Sequence, residues 1–95
     1  MWKRGRFNLK NYIKAIELIR IDSGFHRFEH YPKKGSVYAF ELYQKVNDTA
    51  PCALWVIHTE HDNKRSIWSK LDMEKAAKEL GISFERFIDI LEAVR

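Results

Sequence analysis

Ser23-Gly24-Phe25-His26-Arg27-Phe28-Glu29-His30 sets aromatic, imidazole and charged side chains in alternation, and two further strand-like runs follow it before residue 61. Neighbouring side chains of a strand point to opposite faces. A strand over 25–31 therefore shows Phe25, Arg27, Glu29 and Tyr31 to one side, and His26, Phe28 and His30 to the other. Pro32-Lys33-Lys34-Gly35 is a four-residue turn signal, so the next run is expected to return as a hairpin partner. In that run Tyr38, Phe40, Leu42 and Val46 share the more apolar face, which is expected to meet the helices. Val37, Ala39, Glu41, Tyr43 and Lys45 share the other. Asn47-Asp48-Thr49-Ala50-Pro51 reads as a second loop. The run 52–59 is apolar almost throughout, the pattern of a strand with little solvent on either face, and reads as the central one. His61-Asp62-Asn63-Lys64-Arg65 forms a third turn, after which Ser66-Ile67-Trp68 adds a short strand or leads into a helix.

Helical periodicity flanks this block on both sides. Asn8 is a plausible N-cap for a helix over 9–19, where Leu9, Tyr12, Ile13, Ile16 and Ile19 fall on one face. Lys10 and Lys14 lie outside that stripe, and Asp22-Ser23-Gly24 turns the chain. From Ser69 the period is helical again. Ser69-Lys70-Leu71-Asp72 has capping-box spacing, and Asp72 could itself be the cap. Met73, Ala76, Ala77 and Leu80 form the inner stripe, with the pairs Glu74–Lys78 and Lys75–Glu79 on the exposed side. Gly81 with Ile82 behind it reads as a left-handed terminator and its hydrophobic lock. Ser83 caps a last helix built on Phe84, Phe87, Ile88, Leu91 and Val94. The expected fold is α+β in the order α-β-β-β-α-α, with the helices packed on one face of an antiparallel three-stranded sheet.

At 95 residues the chain is expected to form one domain over 1–95, with 1–7 as a basic N-terminal arm carrying Lys3, Arg4 and Arg6. An apolar share of 45% is too high for a disordered chain. A single cysteine, Cys52, excludes an internal disulfide and a thiol-based zinc site, and suits a reducing compartment. No apolar run reaches the ~18 residues of a membrane span, and the Met1-Trp2-Lys3-Arg4-Gly5-Arg6 start lacks the apolar core of a secretory signal. The protein is therefore expected in the cytoplasm, with no membrane partner.

The net charge of +4 and the pI near 9.3 favour an acidic partner, nucleic acid first. Basic residues gather at the turns, Lys33 and Lys34 in one, Lys64 and Arg65 in another, with Arg27 on a strand between aromatic neighbours. If the two turns lie near each other they make a phosphate-binding rim. Phe25, Tyr31, Tyr43 and Trp55 could stack on bases where exposed, although rings in so small a protein are more often core. His26 and His30 sit about 13 Å apart along a strand at ~3.3 Å per residue, and His58 and His61 face opposite sides. Neither pair makes a metal site, and no cofactor is expected. A lone histidine suits general acid–base chemistry because it titrates near neutrality. Its ordinary alternative is a strand-edge polar residue or a hydrogen-bonded core imidazole.

Several of these segments come together in a resemblance. A helix, then Ser23-Gly24-Phe25-His26-Arg27-Phe28-Glu29-His30, two strands, Val56-Ile57-His58-Thr59-Glu60-His61-Asp62-Asn63-Lys64-Arg65-Ser66-Ile67, and a helix running into Ala77-Lys78-Glu79-Leu80-Gly81-Ile82-Ser83-Phe84-Glu85-Arg86-Phe87 resemble the HicA family of toxin ribonucleases. The resemblance spans residues 8–91. It implies a fold like the double-stranded-RNA-binding domain, metal-independent cleavage of messenger RNA, and neutralisation by an antitoxin protein. The family's catalytic histidine lies in a Gly-Ser-His motif, which this chain alters. Aligned without a gap on Phe28 and His30, Phe25 takes the catalytic position. One deletion puts Gly24-Phe25-His26 on the motif and keeps His26 as general base or acid. If Phe28 is core, alternation makes His26 core too and leaves Phe25 and Arg27 on the open face, a version that binds RNA without cutting it.

The expected function is thus RNA binding, with Arg27, Lys33, Lys34, Lys64 and Arg65 on phosphates and His26 as the candidate catalytic group. Two alternatives stand beside it. Residues 72–93 have helix-turn-helix spacing, which would put the last helix in a DNA major groove. Against this, Glu85, Asp89 and Glu92 accompany a single Arg86 on that helix. The other alternative is a protein-interaction module that meets its partner through the sheet edge.

Overall fold

The computed structural model describes residues 7–58, 66–67 and 70–95. The elements run β1 (Phe7–Asn8), α1 (Leu9–Ser23), β2 (Arg27–Pro32), β3 (Val37–Tyr43), β4 (Ala53–His58), β5 (Ser66–Ile67), α2 (Lys70–Leu80) and α3 (Phe84–Ala93). Strands β2, β3 and β4, which follow α1 and precede α2 and α3 in the chain, form one antiparallel sheet, the expected α+β arrangement. Ser66–Ile67 is a strand, and it pairs with β1 as a separate two-stranded ladder; the turn expected over 61–65 lies outside the described residues.

Each helix starts and stops where its sequence supplies the unmet backbone groups with partners. The Asn8 side chain accepts from the Asn11 N–H at 2.8 Å, and the Ser83 hydroxyl accepts from the Arg86 N–H at 3.1 Å. Helix α2 ends in a paired motif at Gly81 (φ 75°). Gly81 N–H donates to the Lys78 carbonyl and Ile82 N–H to the Ala77 carbonyl. Helix α1 runs four residues beyond the expected span and ends in the same way at Gly24 (φ 83°). There Gly24 N–H donates to Ile21 and Phe25 N–H to Arg20.

That ending corrects the reading of the first strand. Phe25 is the hydrophobic lock of α1 and packs against the core, so β2 begins at Arg27. Alternation has no hold on residues 25 and 26. Phe28 packs against the core as expected, yet His26 is exposed. The central strand is also corrected. The sheet order is β2-β3-β4, so β3 is in the middle and the apolar run of β4 lies at the side. Two short connections make consecutive strands neighbours, which outweighs the apolar content of the last one. Strand β4 alternates buried and exposed, with Leu54 56% accessible.

Cross-strand register sorts the faces. Phe28, Leu42 and Ala53 lie opposite one another, as do His30, Phe40 and Trp55, and then Tyr38 and Ile57. Tyr38, Phe40, Leu42, Ala53, Trp55 and Ile57 form one core with Leu9, Tyr12, Ile16 and Ile19 of α1, Met73, Ala76, Ala77 and Leu80 of α2, and Phe87, Ile88 and Leu91 of α3. Val46 does not join it: β3 ends at Tyr43 and Val46 lies exposed in the loop. The Tyr12 hydroxyl ties three elements together. It donates to the Asp72 carbonyl at 2.8 Å and accepts from Trp55 Nε1 at 3.3 Å, and burial pushes its own titration far up.

Two charged residues of α2 depart from expectation. Helix α2 already includes Lys70, so Asp72 sits in its first turn rather than capping it, and it is buried. Burial raises its pKa, against the lowering pull of Lys75 and His58. Lys75 does not decorate the solvent face. Its Nζ donates to the Val56 carbonyl at 3.2 Å and so occupies an acceptor of β4.

Candidate functional site

The face of the sheet turned away from this core carries Arg27, Glu29 and Tyr31 from β2, Ala39, Glu41 and Tyr43 from β3, and Leu54 and Val56 from β4. No described helix packs over it. Register places Glu29 directly opposite Glu41, an arrangement that like charges disfavour. The neighbours relieve it. Tyr31 OH donates to Glu41 Oε2 and Tyr43 OH to Glu41 Oε1, each at 2.5 Å. Glu29 Oε2 lies 3.2 Å from Arg27 Nε, and the Arg27 guanidinium stacks on the Tyr43 ring with Cζ 3.8 Å from its centroid. This geometry joins an ion pair to a cation–π contact on one arginine.

The hydrogen bonds from Tyr31 and Tyr43 hold the Glu41 carboxyl below the ordinary carboxylate range, with Lys33 and Arg27 adding to the effect. The same bonds push both phenols up. Glu41 is therefore a fixed anion. Its folded pKa lies below the ordinary value of 4.5, so the stability it contributes is complete above that value and is lost as pH falls through the folded one. Urea unfolding of wild type and Glu41→Gln should show wild type more stable at about pH 7, with the difference shrinking toward about pH 3. A difference that does not vary with pH would mean that the phenols do not hold the charge.

Of the residues singled out in the sequence, Arg27 is on this face. Lys33 and Lys34 are exposed in the β2–β3 turn, and Lys33 is near enough to Glu41 to lower its pKa. His26 stands exposed where α1 passes into β2. Its N–H donates to the Tyr43 carbonyl at 2.8 Å and its carbonyl accepts from Arg20 Nη1 at 3.1 Å. The backbone at 26 is thus held on both sides while the imidazole is open to solvent. Lys64, Arg65 and His61, and the arm residues Lys3, Arg4 and Arg6, lie outside the described residues. Among the stacking candidates, Tyr31 is exposed, Tyr43 is covered by Arg27, and Phe25 and Trp55 belong to the core side.

Sequence reading missed the role of Glu41 and Glu29. The face is not uniformly cationic: two carboxylates offset Arg27 and Lys33. The signal was present in the alternation, which put Glu41 between Ala39 and Tyr43 on the polar side of β3, but their convergence with Tyr31 required the register. The helix-turn-helix alternative has its two helices and its Gly81 turn, and helix α3 exposes Glu85 and Asp89 beside Arg86. No helix among the described residues is long and apolar enough to cross a membrane. No family model matches the chain, and no curated protein or solved structure matches it.

Proposed function

We propose that this chain is an RNA-binding domain whose contact surface is the sheet face that no described helix covers, together with the β2–β3 turn. The observation that carries the reading is the Arg27 guanidinium, preorganised on Tyr43 on the same sheet face as the exposed ring of Tyr31, a face that no described helix covers. Stacked planes accept any base, and Lys33 and Lys34 at the end of the same hairpin suit the phosphates between bases. Double-helical DNA is less well served by this chain, because the helix that would enter its groove exposes more carboxylate than cation. The resemblance to HicA-type toxins extends the reading to cytoplasmic messenger RNA, to an antitoxin-like protein partner, and to cleavage with His26 as general base or acid. The exposed imidazole is compatible with that role.

The test is fluorescence anisotropy with labelled single-stranded and duplex RNA between about 50 and 200 mM salt. With Arg27, Lys33 and Lys34 on phosphates, log K should fall with log salt with a slope of about −2 for a single strand. No retention of either RNA at low salt would end the reading. Electrophoresis of the same RNA after incubation separates a binder from a nuclease: cleavage lost in His26→Ala identifies the enzyme, and intact RNA leaves the binding domain.

A further inference from the structure

Helices α1 and α3 leave an open apolar groove of about 390 Å³ on the side of the molecule built by the helices. Leu18 and Ile21 of α1 line one wall and Ile90 and Val94 of α3 the other. Leu18 is 48% and Ile21 58% accessible, two large apolar side chains one helical turn apart that the fold itself does not cover. They lie outside the core stripe of Leu9, Tyr12, Ile16 and Ile19, so the C-terminal half of α1 is apolar on a second side. A helix of that kind has two surfaces to bury, and the core takes only one.

The charges on the rim say what fits there. Asp22 stands on the α1 wall and Arg86 on the α3 wall, and among the described residues neither has an ion-pair partner. Asp22 on one wall and Arg86 on the other are opposite charges, so the groove lining is complementary to itself. In a twofold-symmetric contact, residue i of one copy meets residue j of the other and the reverse. The α1 wall of each copy then meets the α3 wall of its mate, giving two Asp22–Arg86 pairs around a centre of Leu18, Ile21, Ile90 and Val94. The apolar residues that protrude beside the groove are also of a kind that fills it.

We propose that the α1–α3 groove seats a second copy of this chain, forming a symmetric dimer through an apolar centre closed by reciprocal Asp22–Arg86 pairs. The sheet face lies elsewhere on the molecule, so the dimer is independent of the RNA reading. A partner carrying charge of one sign would satisfy either Asp22 or Arg86 and oppose the other.

Sedimentation velocity of the whole chain from about 10 µM to about 1 mM covers weak association. Wild type should pass from monomer to dimer within that range. Asp22→Arg and Arg86→Asp should each weaken the dimer by roughly tenfold, because each replaces an attraction with a like-charge contact. The double variant Asp22→Arg with Arg86→Asp should return to within about threefold of wild type, since the swapped pair restores the attraction. Leu18→Ser, at a half-exposed site, should weaken association with little effect on thermal unfolding. A chain that stays monomeric throughout overturns the proposal. So does a double variant that keeps the wild-type unfolding transition and fails to recover what the single changes lose.

Discussion

Replacing Phe40 with alanine is expected to remove about 3–5 kcal/mol of stability, the usual range for deleting a fully enclosed phenylalanine. Phe40 is inaccessible to solvent and sits at the middle of the central strand. Its ring lies 5.3 Å from Trp55 across the sheet, 5.4 Å from Tyr38 and 6.2 Å from Phe28 on its own layer, and 5.2 Å from Tyr12 of α1, all between centroids. Four aromatic neighbours cannot close the space it leaves, because each is held by contacts of its own: Tyr12 by hydrogen bonds to Asp72 and from Trp55, and Phe28 by β2. The change thus creates a cavity as well as losing transfer free energy. A domain of this size has roughly 5–15 kcal/mol in all, so a loss of this order should lower the melting temperature by about 15 °C or more. Leu54→Ala on the opposite face, more than half exposed, should cost about 0.5 kcal/mol or less. Equal losses at the two sites would mean that the sheet is covered on both sides.

Arg27→Ala should weaken RNA binding by roughly tenfold or more, the effect of losing a stacked plane and a cation together. Two consequences of the arrangement make Arg27 the most sensitive position on the face. Removing the guanidinium takes away the plane stacked on Tyr43, and it also releases Glu29, whose carboxylate then faces incoming phosphate without its partner. Arg27→Lys separates the two contributions. A lysine keeps the charge and hence the salt dependence, but it lacks the planar group that lies flat on Tyr43, so only part of the affinity should return. Lys33→Ala should act more simply, lowering affinity alike for all sequences and reducing the salt slope by about one phosphate's share. If Arg27→Ala binds RNA as well as wild type does, the contact surface is not this face.

Much of the fold was legible because it is written in short-range chemistry. Asn8 and Ser83 announce helix starts through side chains that satisfy backbone N–H groups three residues on. The inner stripe of α2 appears in full as spacing in the sequence, and all four of its members are buried. The first strand shows how a legible signal can be passed over. Gly81-Ile82 reads correctly as a left-handed residue followed by a lock. Gly24-Phe25 is the same pair, but there the alternation of 25–31 offers a competing strand signal. The helix ending prevails because Phe25 satisfies an α1 carbonyl through its N–H and buries its ring at the same time. A strand beginning at 25 would give up both. His26 then falls in the bend between two elements, where its direction is not set by the period of either.

The candidate site was less legible for a different reason. Which residues face away from the helices follows from alternation within one strand, which sets Arg27 with Glu29 and Tyr31, and Glu41 with Tyr43. That Glu29 stands against Glu41, that two phenols converge on one carboxylate, and that Arg27 lies on Tyr43 all depend on the pairing of β2 with β3. A shift of one residue in that pairing would undo each contact made between the two strands, leaving only the bond from Tyr43 to Glu41 within β3. Strand order was likewise out of reach of composition: β4 is the more continuously apolar run, but short connections place β3 between its sequence neighbours. Sequence alone determined the α+β order, the capped starts of α1 and α3, the end of α2 and the inner stripes of the helices, since caps, turns and periodicity act over a few residues. Tertiary structure decided which strand is central, which way Lys75 turns, where His26 stands and which charges meet, because those outcomes are set by partners distant along the chain.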